Sequence, residues 1–169
     1  MNIVLIGFMG TGKSAVGKRL AERLNRPFLE LDRIIEEREG CSIAEIFERR
    51  GEAHFRRMER AAVHVAAQLP DVVIATGGGA ALDDENVKAL KATGILVCLT
   101  ATPEVIRERV GDVRTRPLLS GAADPLAEIK RLLAARAPRY ALADHIVDAS
   151  HLSVDDVVES VVRLVTRGA

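Results

Sequence analysis

The segment GFMGTGKS, residues 7–14, follows the apolar run NIVLI and leads straight into KSAVGKRLAERLN, a stretch rich in Ala and Leu. Gly7-x4-Gly12-Lys13-Ser14 matches the phosphate-binding loop, which needs a buried strand before it and a helix after it. That requirement narrows the fold to open α/β architectures with a strand-to-helix turn at the ligand. Its glycines let successive N–H groups curl around an anion, and the helix N-terminus adds partial positive charge. Lys13 would reach the β- and γ-phosphates, and the Ser14 hydroxyl would ligate Mg²⁺. A glycine-rich turn that binds nothing is the competing reading, and the full pattern in its strand–helix context argues against it. The loop therefore predicts a nucleoside triphosphate, ATP, while leaving kinase, ATPase, GTPase and switch protein open. No NKxD-type guanine reader occurs, and 169 residues are short for an ATPase motor, so a small-molecule kinase leads.

Four further apolar runs, PFLEL (27–31), DVVIA (71–75), ILVCL (95–99) and HIVDA (145–149), alternate with helix-period segments. Together with NIVLI (2–6) they read as five strands, and continuous Val/Ile/Leu runs predict burial on both faces of a parallel sheet. Strands alternating with helices predict a doubly wound α/β sandwich, with a last helix over SVDDVVESVVRLVTR capped by Ser153. Residues 33–68 hold two or three helices, more than one crossover needs, and read as an inserted helical subdomain. Residues 111–123, GDVRTRPLLSGAA, carry no clear period and read as a mobile loop.

Lys plus Arg and Asp plus Glu each number 24, so the chain has no global basic field to draw nucleic acid or anionic lipid. Aromatics make up 3%, with no Trp, which argues against a base-stacking surface. No run approaches the roughly 20 apolar residues of a membrane span. Cys41 and Cys98 lie far apart in no CxxC spacing and read as reduced thiols. The expectation is a soluble cytoplasmic protein without nucleic-acid or membrane partners, and nothing in the sequence demands more than a monomer.

A kinase also needs an acceptor pocket beyond the carboxyl ends of its strands. In FLELD, strand alternation would aim Glu30 and Asp32 the same way, one acid near Mg²⁺ and one taking a proton from the attacking hydroxyl. Asp32 before RIIEE would equally serve as a helix cap. In EAHFRRMER, Arg56 and Glu59 share a helix face, either as a rigid carboxylate or phosphate clamp or as a solvated ion pair. Three glycines in ATGGGA, Gly77 to Gly79, would let a ligand or another backbone come close, unless they form a bland loop. Arg116, before Pro117, would close over a transferring phosphoryl group, and Arg136 would hold an anionic substrate. Either arginine alone could be a surface residue.

Taken together these residues resemble the shikimate kinase family. The resemblance runs over nearly the whole chain, through GFMGTGKSAVGKRLA, D-x-x-IE, G-x-SIAEIF, GE-x-x-FRR-x-E, GGGA, RPLL and RAPRY, in order. It implies a three-layer α/β/α sandwich with a five-stranded parallel sheet, nucleoside monophosphate kinase-like, with a helical substrate-binding region at about 32–68 and a lid at about 111–123. It further implies ATP as co-substrate with Mg²⁺, and phosphorylation of the shikimate 3-hydroxyl. Gly10, Thr11, Gly12, Lys13, Ser14 and Ala15 would wrap the phosphates, with Lys13 stabilising the transition state and Ser14 on the metal. Asp32 would act as the base, Arg56 and Arg136 would grip the shikimate carboxylate, and Gly77, Gly78 and Gly79 would line the ring. Arg116 would come from the lid, Arg109 would lie against adenine, and Glu59 would orient Arg56. The family usually has Asp-x-Asp where this chain reads Glu30-Leu31-Asp32, so the role of Glu30 is the point of departure. The alternatives are a gluconate-type or other small-acid kinase on the same fold, and a non-catalytic nucleotide-sensing module.

Overall fold

In the computed structural model, which describes residues 1–167, the five strands are β1 (Asn2–Ile6), β2 (Phe28–Glu30), β3 (Val73–Ala75), β4 (Gly94–Thr100) and β5 (His145–Asp148). Seven helices connect and follow them: α1 (Lys13–Leu24), α2 (Leu31–Glu39), α3 (Ile43–Gln68), α4 (Asp84–Thr93), α5 (Pro103–Val110), α6 (Pro125–Tyr140) and α7 (Val154–Arg167). All strand pairs are parallel, in the order β2-β3-β1-β4-β5.

Alternation along the central strand builds the layers. Val4 and Ile6 pack with Val63 and Ala66 of α3, Leu90 of α4, Ile106 of α5 and Ile129 of α6. Ile3 and Leu5 face the other way, against Val16 and Leu20 of α1 and Val157, Val161 and Val165 of α7. Each such aliphatic side chain removed from water contributes about 1.5–3 kcal/mol before entropy is counted. The three-layer sandwich is thus a direct result of period-2 strands whose two faces are both apolar.

The edges depart from the expectation of strands buried on both faces. β2 is half-buried throughout, and Ile146 of β5 is 58% exposed. A three-residue strand and a four-residue strand at the rims have a neighbour on one side only. The 33–68 region resolves into two helices, the second broken in mid-course at Gly51, whose φ of 81° lies in the left-handed region. A capping box between Ser42 and Glu45 starts α3. The final helix begins as expected, with the Asp156 N–H donating to Ser153 Oγ at 3.1 Å.

Strand order also locates the site. From β1 the chain passes through α1 on one face; from β3 it passes through α4 on the other, and β1 and β3 are neighbours. Their carboxyl-end loops, GFMGTGKS and TGGGA, therefore part in opposite directions and leave a crevice between them, the usual ligand position of an open α/β sheet.

Candidate active site

The phosphate loop ends in a helix start that is left open. Gly12, with a φ of 96°, precedes α1; no side chain caps the helix and no acid stands in its first turn. The first N–H groups of a helix have no partner within it, so they face the crevice as an anion seat. The buried Lys13 donates from Nζ to the carbonyls of Gly7 and Phe8, both at 2.8 Å. Burial lowers its pKa to about 8, against the attraction of Asp32. A phosphate beside Nζ favours the charged ammonium, so binding must raise that pKa and draw in a proton. Above about pH 8, magnesium-free ADP is expected to bind with proton uptake and with affinity that falls as pH rises. Calorimetry in two buffers of different ionisation enthalpy measures the uptake, which Lys13→Met should abolish.

A cleft of about 1130 Å³ joins this loop to the expected acceptor groups. Gly10 to Ala15, Glu30, Asp32, Gly77, Gly78, Arg109 and Arg116 all line it. Arg56, Gly79 and Arg136 stand just behind, in contact with one another's neighbours through the glycine segment. Glu30 accepts a hydrogen bond from Ser14 Oγ. Asp32 reaches the cleft differently from the expectation of strand alternation: β2 ends at Glu30, and Asp32 sits in the first turn of α2. Nor is it the helix cap, a place taken by Glu30.

Each glycine of the triplet accommodates a different functional group. A Cβ on Gly77 would lie 2.6 Å from Asp32 Oδ1 and 3.0 Å from Glu59 Oε2; on Gly78 it would lie 3.2 Å from the Met9 nitrogen; on Gly79 it would lie 2.5 Å from Arg56 Nη1. None of the three has a positive φ. Close approach alone calls for glycine here.

Arg56 Nη1 donates to Glu59 Oε1 at 2.9 Å, and Nη2 donates to Glu52 at 3.3 Å. Glu59 is 1% exposed while Arg56 is only partly buried, so the pair is anchored on an interior acid and is not a fully solvated one. Asp32 Oδ1 and Glu59 Oε2 are buried with no hydrogen-bond partner. Burial pushes both carboxyls above the ordinary range, with Lys13 opposing the shift at Asp32 and Arg56 opposing it at Glu59. Arg136, 5% exposed, donates to the Gly78 carbonyl at 3.2 Å and lies 5.4 Å from the centre of the Phe8 ring. The helix that carries it runs on through Pro138 to Tyr140.

Residues 111–123 are more ordered than their lack of period suggests. A short 3-10 turn spans Val113–Thr115, and Leu119 is fully buried in the core while Arg116 is exposed at the cleft. Arg114 is occupied by Asp112, to which it donates from both Nε and Nη2. Of these two loop arginines, Arg116 is the one on which no such acid sits among the described residues, and its charge already acts on Lys13. At the other end of the cleft, Arg109 Nη2 donates to the Ala149 carbonyl at 2.8 Å beside the apolar side chains of Leu152 and Val154. Sequence reasoning missed these two and also the wall formed by Ser42, Ile43 and Ala44. The signal for the first pair was available: apolar residues in the short segment that follows the carboxyl end of β5.

The family model described as Shikimate kinase matches residues 9–166. A shikimate kinase of Caldanaerobacter subterraneus is 45% identical over 96% of this chain and 94% of its own. One of Pelotomaculum thermopropionicum is 48% identical over 95% and 93%. Among solved structures, shikimate kinase from Acinetobacter baumannii in complex with shikimate superposes with a TM-score of 0.94 at 35% identity, covering 99% of this chain and 93% of that one.

Proposed function

Because the chain belongs to the shikimate kinase family, we propose that it transfers the γ-phosphoryl group of ATP to the 3-hydroxyl of shikimate, a step toward the aromatic amino acids. The observation that carries this reading is convergence. A buried carboxyl oxygen without a partner and two arginines meet at one glycine segment, beside an open phosphate loop. A small acid with hydroxyl groups needs that set: a planar grip for its carboxylate and a proton acceptor for its hydroxyl.

Arg56, held by Glu59, and Arg136, held at Gly78, bind the carboxylate. Asp32 accepts the proton of the attacking hydroxyl, and its raised pKa brings it nearer working pH. Lys13 and Arg116 neutralise charge on the equatorial oxygens as the phosphoryl group passes in line through a loose transition state. Adenine lies along Arg109, Leu152 and Val154. Ser14 Oγ and the Glu30 carboxylate, already in contact, are hard oxygen donors that fit Mg²⁺. No group of three or more His, Cys, Asp and Glu among the described residues forms a cage, which suits an ion completed by phosphates and water. When bound, such an ion, held by Ser14 and Glu30, would supply charge neutralisation to the phosphates. The reading keeps the expectation of a monomer in the cytoplasm, and two free thiols are in keeping with that location.

ADP release is expected to depend on shikimate. Arg136→Ala should raise the shikimate KM by about 10- to 100-fold, the worth of a charge-assisted hydrogen bond. A panel of hydroxy acids decides against the alternatives. Stimulation by gluconate and not by shikimate indicates a small-acid kinase of another specificity, and ATP binding with no acceptor-stimulated turnover indicates a nucleotide-sensing module.

A further inference from the structure

Tyr140 is the only tyrosine in the chain, and no role above uses it. It closes α6 four residues after Arg136, so the two side chains stand on one face of the helix. It is 6% exposed. Its hydroxyl donates to the Gly78 carbonyl at 2.7 Å, the same oxygen that accepts from Arg136 Nη1 at 3.2 Å. A carbonyl oxygen has two lone pairs, and here each has a donor. The guanidinium has five N–H groups in a rigid fork, of which this carbonyl takes one.

We infer that Tyr140 is a positioning residue for Arg136, sharing the Gly78 carbonyl so that the guanidinium fork stays free for the substrate carboxylate. Without the phenol the second lone pair is open to another N–H of the same fork. A guanidinium doubly bound to Gly78 turns toward the glycine segment and away from the cleft. The Phe8 ring beneath the guanidinium limits its tilt but provides no hydrogen bond to set its rotation. This inference rests on the reading of Arg136 as a carboxylate holder.

Tyr140→Phe keeps the ring and removes only the donor. It is expected to raise the shikimate KM about tenfold, the loss of roughly one charge-assisted hydrogen bond, with kcat and the ATP KM within about twofold of the parent. The penalty should disappear with the carboxamide analogue of shikimate, which offers no carboxylate to grip. A merely structural role would instead lower the melting temperature and change all three constants together. A shikimate KM within twofold of the parent, or the same penalty on the carboxamide, overturns the inference. If the parent protein itself handles acid and carboxamide equally well, the Arg136 reading fails first, a result distinct from failure at Tyr140 alone. A measurement on the unmodified protein guards against a variant that does not fold. With one Tyr and no Trp, the near-ultraviolet difference spectrum reports chiefly on this ring. Saturating shikimate should perturb it and ADP should not, whereas silence toward shikimate counts against the inference.

Discussion

Asp32→Asn is expected to lower kcat on shikimate by about 100- to 10,000-fold, the range of general base catalysis, while the protein gains stability at neutral pH. The two effects share one cause. Asp32 is buried with one oxygen unpartnered, and desolvation raises its pKa in spite of the pull of Lys13. For an acid whose folded pKa is raised, the charged form is disfavoured by folding. Stability is therefore fully present below the unfolded pKa and falls as pH climbs through the folded one. At neutral pH the carboxylate is a cost to the fold that a neutral Asn does not impose. The same shift predicts a kcat that rises with pH through an acid limb above the ordinary carboxylate range. Coupled assays of ADP release and thermal melts monitored by circular dichroism measure both quantities. A kcat within tenfold of the parent removes Asp32 from the role of base.

Gly79→Ala is expected to raise the shikimate KM by at least about tenfold, the worth of a charge-assisted contact, with little loss of melting temperature. The added methyl would sit 2.5–2.7 Å from Nη1, Nη2 and Cζ of Arg56. Backbone strain is not the reason, because Gly79 has φ −103° and ψ 0°, a conformation open to alanine. The end of a long side chain moves more readily than packed backbone, so the guanidinium gives way. Its bond to Glu59 then goes, leaving a buried carboxyl without its cation. Burial already pushes the Glu59 pKa up, so the group is expected to take a proton, and the core is spared an uncompensated charge. If KM stays near the parent while the protein melts early, Gly79 serves the scaffold and not the clamp.

Much of this was legible in the sequence because the signals are local. A buried strand, a glycine loop, Lys-Ser and a helix lie within the first 24 residues, and their meaning does not depend on distant contacts. The Arg56–Glu59 pair followed from helical spacing, but its depth did not, since burial depends on α3 packing on the core next to the glycine segment. Asp32 was found for an imperfect reason. Strand alternation was carried one residue beyond the strand, and the first turn of α2 happens to aim the acid at the same cleft. The exposed flanks of β2 and β5 were missed because a run of apolar residues does not say which strand lies at a rim. Tyr140 has no role legible in RAPRY, since its partner, Gly78, is 62 residues away and offers only a backbone oxygen.

The glycine triplet bears on how this chain is able to change over evolutionary time. Each of its Cα positions is the negative imprint of a particular neighbour: two carboxyls at Gly77, the phosphate-loop backbone at Gly78 and a guanidinium at Gly79. Drift at any of these neighbours would relax one glycine and leave the other two constrained. Among descendants of such a sequence, side chains at position 77 should appear together with changes at 32 or 59, and side chains at 79 together with loss of Arg56. Position 78 should be the last to vary, because its neighbour is main chain and no substitution removes it.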